Sequence, residues 1–305
     1  IVECCLVPHG VADPTTAKYG CRALYYLLIE ADQAVDGGKT AVIMRGIAAG
    51  AHDAVVACLK AHPEAQEDLA EEACSAVYGL AKEAPAEAVA ALTGAGAVEA
   101  VLKSLMWYGD SNDGVAKYGC MATYSLLEGM PAGGVEAFAS KDGIDALVMT
   151  LIAHGAENER VAEEALTAIV AFLKAAAATT EEMKKEEGAT DIVAALLSAE
   201  AAPEIVSAMK HHAEENEAVA EYGCRAIAVL LAAGGADALE RFGALVGEGV
   251  IASVVTSIKA HVDGTPEMVT SACRVLSQLI EAKMCEVNAD QENADQENAG
   301  VAAAQ

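Results

Sequence analysis

Six short matching segments, spaced 46 to 58 residues apart, most constrain what this chain can fold into. Each contains a Gly or Ala followed directly by Cys, except one in which Leu replaces the Cys. Ala or Val lies four residues before the Cys position, and Leu or Phe lies six residues after it. A register kept over six copies indicates repeated structural units. The pairs are Gly20 and Cys21, Ala73 and Cys74, Gly119 and Cys120, Ala165 and Leu166, Gly223 and Cys224, and Ala272 and Cys273.

The residues around each pair have the spacing of an amphipathic helix. In the first copy Cys21, Leu24 and Leu28 recur at steps of three and four residues, which places them on one helix face. Gly destabilises a helix interior by about 1 kcal/mol relative to Ala, so its recurrence predicts a place where a neighbouring helix backbone approaches too closely for a larger side chain. We call the six pairs the packing seam and the helices that carry them seam helices. An array of reactive thiols is the alternative, and Leu166 argues against it because Leu has no thiol chemistry.

A second helix is predicted before each seam helix, and we call these the companion helices. They end at a shared position twelve residues before the Cys position, and His occupies that position in five of six copies. His at a helix C-terminus favours the helix dipole and caps carbonyl groups; pH-sensed assembly and metal binding are the alternatives. Packed helices lie about 8–10 Å apart, too far for successive His side chains to share a zinc ion. The shared position holds His9, His62, Tyr108, His154, His212 and His261.

The order of these helices resembles armadillo repeats. The short acidic stretch before each seam helix corresponds to the first helix, the seam helix to the second, and the companion helix, which follows a Gly, to the third. The resemblance implies an all-α, right-handed α-solenoid of about six repeats over residues 1–284. It also implies that the third helices line the concave face. The matching glycines are Gly94, Gly96, Gly143, Gly247 and Gly249.

One armadillo feature is missing from the sequence. Armadillo adaptors that clamp extended peptides carry Asn on the third helices of successive repeats. The companion helices contain none, and Asn112, Asn158 and Asn216 lie near the starts of the predicted first helices. The resemblance therefore does not extend to a nuclear-import-type or catenin-type peptide clamp.

The repeat register also predicts the unit boundaries. The chain opens inside a companion helix, which Pro8 is expected to stop. Residues 285–305 include the five-residue period NADQENADQENA and are predicted to be a low-complexity tail or linker. The predicted units are roughly 1–10 (partial), 11–62, 63–108, 109–154, 155–212 with an added helix at 181–203, 213–261 and 262–284 (partial).

The charge of the chain limits its partners. Its 46 acidic and 19 basic residues give a formal net charge of −27, which argues against nucleic acid and anionic membrane surfaces as partners. No apolar run approaches the ~18 residues of a membrane span. Nine Cys without a CxxC motif predict reduced thiols in an intracellular, cytoplasmic protein. Import into an organelle stays open, since the sequence begins at Ile1.

Function is predicted from surface residues of the companion helices. Basic side chains near both ends of the array and apolar ones at its centre would form a groove for protein partners. We expect a constitutive scaffold subunit of a larger assembly, or alternatively a regulatory adaptor that binds peptides or basic partners reversibly. The sequence contains no P-loop, HExxH, GxSxG or EF-hand motif, and we predict no enzyme, cofactor or metal site. The candidate groove residues are Lys60, Lys103, Met106, Trp107, Tyr108, Ile152, Lys210 and Lys259.

Overall fold

The computed structural model describes residues 1–31, 38–62, 66–130, 141–178, 196, 201–233 and 249–281. Within these ranges every regular element is a helix. The elements are a π-helical segment, Val2–Gly10, followed by α1 (Pro14–Glu30), α2 (Gly38–Ala48), α3 (Ala51–Ala61), α4 (Glu67–Ala81), α5 (Ala86–Ala95), α6 (Ala97–Tyr108), α7 (Asp113–Gly129), α8 (Lys141–His154), α9 (Glu159–Ala178), α10 (Ala201–His212), α11 (Glu217–Ala233), α12 (Val250–Ala260) and α13 (residues 266–281).

The helices form two stacked layers. In one layer each of the seam helices α1, α4, α7, α9 and α11 contacts the next. In the other, the π-helical segment and α3, α6, α8, α10 and α12 contact one another in the same order. Each seam helix also packs on the companion helix before it, and Ala, Val, Leu and Cys side chains fill the space between the layers. This arrangement confirms the predicted all-α solenoid.

The seam glycines lie where the two layers meet. A Cβ atom on Gly20, Gly119 or Gly223 would lie 2.5 Å from a side-chain carbon of the preceding companion helix. The obstructing groups are the side chains of Leu6, Leu105 and Met209, whereas the sequence had predicted a neighbouring backbone. The equivalent Ala73, Ala165 and Ala272 are buried, as are Cys21, Cys74, Cys120, Leu166 and Cys224, while Cys273 on α13 is exposed.

Burial also determines the chemistry of the seam thiols. It raises the pKa of Cys74 and of Cys224 to about 12, because the apolar surroundings disfavour the thiolate. At neutral pH these side chains are therefore thiols, and the thiolate is the form that reacts.

The order of helices within a unit differs from the prediction. The acidic stretches begin the seam helices themselves, since Glu67 and Asp68 lie in the first turn of α4. Asn112, Asn158 and Asn216 are N-caps whose Oδ1 atoms accept hydrogen bonds from backbone N–H groups three residues later, at 2.8, 3.2 and 3.0 Å. The short helices α2 and α5 instead follow seam helices. Counted from α5, the unit is a short helix, the companion helix α6 and the seam helix α7, so the seam helix is the third.

The first helix of the chain extends further than the sequence predicts. The first helix does not stop at Pro8 but continues to Gly10. Its geometry is that of a π-helix, in which Leu6 N donates to Ile1 O five residues earlier at 3.2 Å. This ladder differs from the α-helical one that a Pro ring disrupts. The predicted added helix at 181–203 falls mostly, and the tail at 285–305 entirely, outside the described residues.

Three of the His residues at the shared position connect successive companion helices, whereas Nε2 of His212 has no hydrogen-bond partner among the described residues. Nε2 of His62, His154 and His261 donates to a backbone carbonyl at the end of the preceding companion helix, at 3.1, 2.8 and 2.8 Å. Each ring thus caps the neighbouring helix rather than its own. The accepting oxygens belong to Gly10, Gly109 and Ala213.

Replacing His154 by Ala is expected to lower the free energy of unfolding by about 1 kcal/mol. The buried carbonyl of Gly109 would lose its donor, and Asp113 Oδ1, 3.1 Å from His154 Nδ1, would lose that polar contact. Urea unfolding followed by circular dichroism measures the change. His211→Ala is the control, because His211 is exposed and bonds only Ser207 in its own helix. An equal loss in the two variants would contradict the bridging role.

Candidate functional site

One position of the seam helices forms a row of alternating aromatic and acidic side chains. It lies two residues before the Cys position, and the chain places Tyr there on α1, α7 and α11 and Glu on α4 and α9. The carboxylate-bearing residues are buried, whereas the tyrosines are half-buried or exposed. We call this set the inner row, and it consists of Tyr19, Glu72, Tyr118, Glu164 and Tyr222.

A tyrosine contact shows which way the seam-helix layer curves. Tyr25 of α1 meets Tyr118 of α7 with ring centroids 5.4 Å and hydroxyl oxygens 3.5 Å apart. The two helices do not neighbour each other, because α4 lies between them. Tyr25 passes over α4 at Gly79, where a Cβ atom would lie 3.4 Å from its ring. Side chains two helices apart converge in this way on the concave side of a curved layer, so we assign the seam-helix face as the inner face.

Cations of the chain itself lie on the inner row. Arg22 donates to the buried Glu72 carboxylate through Nη2 and, at 2.6 Å, through Nε, and its guanidinium lies 5.7 Å from the Tyr19 ring centroid. Arg160 pairs with Glu164 at 3.0 Å. These contacts show that the inner face combines carboxylate and ring surfaces in a geometry suited to guanidinium groups.

The same pattern continues along the layer. Lys117 lies 4.8 Å from the Tyr118 ring centroid. Arg225 lies 5.5 Å from the Tyr222 ring centroid and pairs with Glu221 at 2.8 Å. Basic groups therefore rest on all three tyrosines of the inner row.

Burial influences the ionisation of this face. It raises the pKa of Glu164, an effect that the neighbouring Arg160 opposes. Burial likewise raises the pKa of Tyr124 and of Tyr222. Tyr124 and Tyr222 are consequently neutral at physiological pH and offer aromatic surface and hydroxyl groups.

The candidate groove residues lie on the other layer, in the companion helices. Lys60 Nζ donates to Ala95 O at 3.0 Å, and Lys103 pairs with Glu99 at 2.8 Å. The structure brings Lys60, Lys103 and Trp107 together around a shallow cavity of about 260 Å³. Met106, Ile152, Lys210 and Lys259 are exposed along the same layer, and Tyr108 is half-buried.

The inner row was not identified from the sequence, although a signal for it exists. In the first five aligned copies Tyr and Glu alternate two residues before the Cys position, and the sixth copy has Ser271 there. The sequence pattern assigns the seam helix as the second helix of the unit. The armadillo resemblance places the third helices on the concave face, so it does not point to the seam helices as a binding surface. The N-cap positions of Asn112, Asn158 and Asn216 correct that assignment.

The described part of the chain offers neither a metal-binding cluster nor a single membrane-spanning helix. There, no group of three or more His, Cys, Asp or Glu side chains is arranged to hold a metal ion. No single described helix has both the length and the apolar character to cross a membrane. Two pairs of consecutive helices, α2 with α3 and α5 with α6, reach the length and apolar composition of a membrane span only when the two helices are counted together. These pairs are bent by 62° and 63° between their helices.

Known proteins resemble this chain in structure. No protein-family profile and no curated protein matches its sequence. The designed armadillo repeat protein YIII(Dq)4CqI is 20% identical, with a TM-score of 0.61 over 88% of this chain and 97% of that one. A second design, YIII(Dq.V1)4CPAF in complex with the peptide (KR)4, is 21% identical, with a TM-score of 0.61 over 91% and 97%.

A third solved structure shares this architecture. It is an engineered protein of the Northeast Structural Genomics Consortium, target OR366, which is 19% identical with a TM-score of 0.64 over 91% of this chain and 96% of that one. At such identities the similarity concerns the fold. Together with the two stacked layers and the three-helix unit, it shows that the chain has the fold of an armadillo-type repeat solenoid.

Proposed function

We propose that the protein is a non-enzymatic, protein-binding scaffold whose inner face holds an extended segment rich in Arg and Lys. The main support for this proposal is the inner row, where carboxylates alternate with aromatic rings. Arginine and lysine side chains of the chain itself already contact these groups. A basic ligand would make the same contacts in place of, or beside, these side chains. The net charge of −27 would attract such a ligand over longer distances. A designed relative of this fold was solved with the basic peptide (KR)4.

The chemistry of the inner row favours exchange of the partner over permanent assembly. Cation–π contacts at exposed sites contribute about 0.5–1 kcal/mol each, and exposed ion pairs contribute up to about 1 kcal/mol. Salt screens both kinds of contact. We therefore favour the reversible adaptor over the constitutive subunit as the role of this face.

A labelled (KR)4 peptide tests the proposal. Fluorescence anisotropy should show saturable binding that weakens at least tenfold between 50 and 300 mM salt, because salt screens the attraction between the basic peptide and the acidic protein. The double variant Tyr118→Ser and Tyr222→Ser should weaken binding at least fivefold while circular dichroism remains unchanged. Trp107→Ala, on the other layer, is the control and should bind normally.

Two results would count against the proposal. Binding that is unaffected by the double variant would place the peptide elsewhere on the acidic surface. A partner recovered in stoichiometric amounts from the native source after a high-salt wash would favour the constitutive subunit.

A further inference from the structure

The companion layer exposes four large apolar side chains on two neighbouring helices at its centre. Met106 and Trp107 on α6 are 49% and 44% exposed, and Met149 and Ile152 on α8 are 51% and 47% exposed. The two helices contact each other, and in each the exposed pair lies close to the C-terminal end. We call these four residues the apolar patch. Large apolar side chains clustered on a surface mark interaction sites more often than isolated ones do.

Lysines flank the apolar patch on both sides. Lys60 on α3 and Lys103 on α6, together with Glu99, line the cavity beside Trp107. Lys210 lies on α10, the companion helix that follows α8, at the position equivalent to Lys60. Lys103 pairs with Glu99 in an exposed i, i+4 pair, a contact that contributes only a few tenths of a kcal/mol. Among the described residues, Lys60 and Lys210 form no ion pair, and Lys60 Nζ donates to the carbonyl oxygen of Ala95 at 3.0 Å. The chain has only 19 basic residues against 46 acidic ones, and three of its lysines lie beside the apolar patch.

We propose that the apolar patch and its flanking lysines form a docking surface for an acidic amphipathic segment of a partner protein. The segment would place apolar side chains on the patch, with one anchor in the cavity between Leu59 and Trp107. Its carboxylates would lie at both ends, near Lys60 and Lys210. Charge complementarity selects this occupant, since the lysines that attract carboxylates repel a basic segment.

The spacing of the helices sets the length of the segment. From α3 to α10 there are three steps between neighbouring companion helices, and at about 8–10 Å per step the span is roughly 24–30 Å. An α-helix covers this distance with about 16–20 residues at 1.5 Å per residue. The two layers would thus bind ligands of opposite charge, a basic one inside and an acidic one outside.

Trp107 provides a direct readout because it is the only Trp in the chain. The probe is a synthetic helical peptide of 18 residues with Leu at i, i+3, i+4 and i+7 spacing and Glu elsewhere. A counterpart carrying Lys in place of every Glu is the charge control. At 150 mM salt the Glu peptide should shift the Trp107 emission to shorter wavelength and bind at least tenfold more tightly than the Lys peptide.

Variants locate the binding site by anisotropy of the labelled Glu peptide. Ile152→Ser and Lys60→Glu should each weaken binding at least fivefold. Ile251→Ser is the matched control, since Ile251 on α12 is 43% exposed but lies outside the apolar patch. The double variant Tyr118→Ser and Tyr222→Ser should leave this binding intact, which separates it from binding at the inner row.

Three results would overturn the proposal. The first is equal or tighter binding of the Lys peptide. The second is a Glu-peptide affinity unchanged by Ile152→Ser. The third is concentration-dependent dimerisation in sedimentation velocity that Ile152→Ser abolishes, which would make a second copy of the chain the occupant.

Discussion

Replacing Gly119 by Leu is expected to unfold the centre of the array. A Cβ atom at this position would lie 2.5 Å from Leu105 Cδ2, and Leu105 is itself buried in the layer beneath. Three further carbon atoms would then enter space that α6 already fills. Overpacking of this kind costs about 3 kcal/mol, the upper part of its usual range. Urea unfolding should shift accordingly, and hydrogen exchange should show lost protection in α6 and α7, because neighbouring repeats stabilise one another.

Matched variants separate crowding from the other effects of the substitution. Gly94→Leu is the control, because a Cβ atom on the exposed Gly94 of α5 would meet nothing within 4 Å. Gly119→Ala should be mild, since Ala73 and Ala165 occupy the equivalent positions on α4 and α9. Cys120→Ala should cost less than Gly119→Leu. If Cys120→Ala proved the more damaging change, the packing explanation of the seam would be wrong.

Replacing Arg22 by Ala is expected to lower the free energy of unfolding by about 2 kcal/mol. Glu72 is buried on the inner row, and Arg22 donates two hydrogen bonds to its carboxylate. Removing one partner of a buried pair typically costs about 3–5 kcal/mol, because a buried charge is left unpaired. The side chain of Arg22 is 43% exposed, so water reaches the pair and the expected loss is smaller. Chemical unfolding at neutral pH measures it.

A second substitution tests the cause of that loss. In the Arg22→Ala background, Glu72→Gln should restore part of the stability, since it removes the unpaired charge and keeps the shape of the side chain. Lys103→Ala is the control for a solvated pair, and should cost about 0.5 kcal/mol or less. Failure of Glu72→Gln to restore stability would show that Arg22 acts through packing on Tyr19 rather than through the ion pair.

Prediction of the fold from the sequence succeeded where the signal was local. Two sequence features identified the seam helices: apolar residues that recur every three or four positions, and the small residue before Cys. These helices are α1, α4, α7, α9, α11 and α13. His at a shared position identified the ends of the companion helices. The sequence does not predict the short helices α2 and α5. It predicts separate helices for the acidic stretches, which the structure shows to be the first turns of the seam helices, because acidic residues favour both a short helix and the start of a longer one.

The sequence by itself determined the repetitive, helical character of the chain and the small residues at the seam, because these depend on periodicity and side-chain size within one segment. Only the tertiary structure decided which face is concave. That face is revealed by the contact of Tyr25 with Tyr118, which are 93 residues apart in the chain and lie on helices separated by α4. Such contacts depend on how the layers stack and curve. Since one face of a helix can point into a groove or away from it, the residue pattern alone does not distinguish the inner row from the apolar patch.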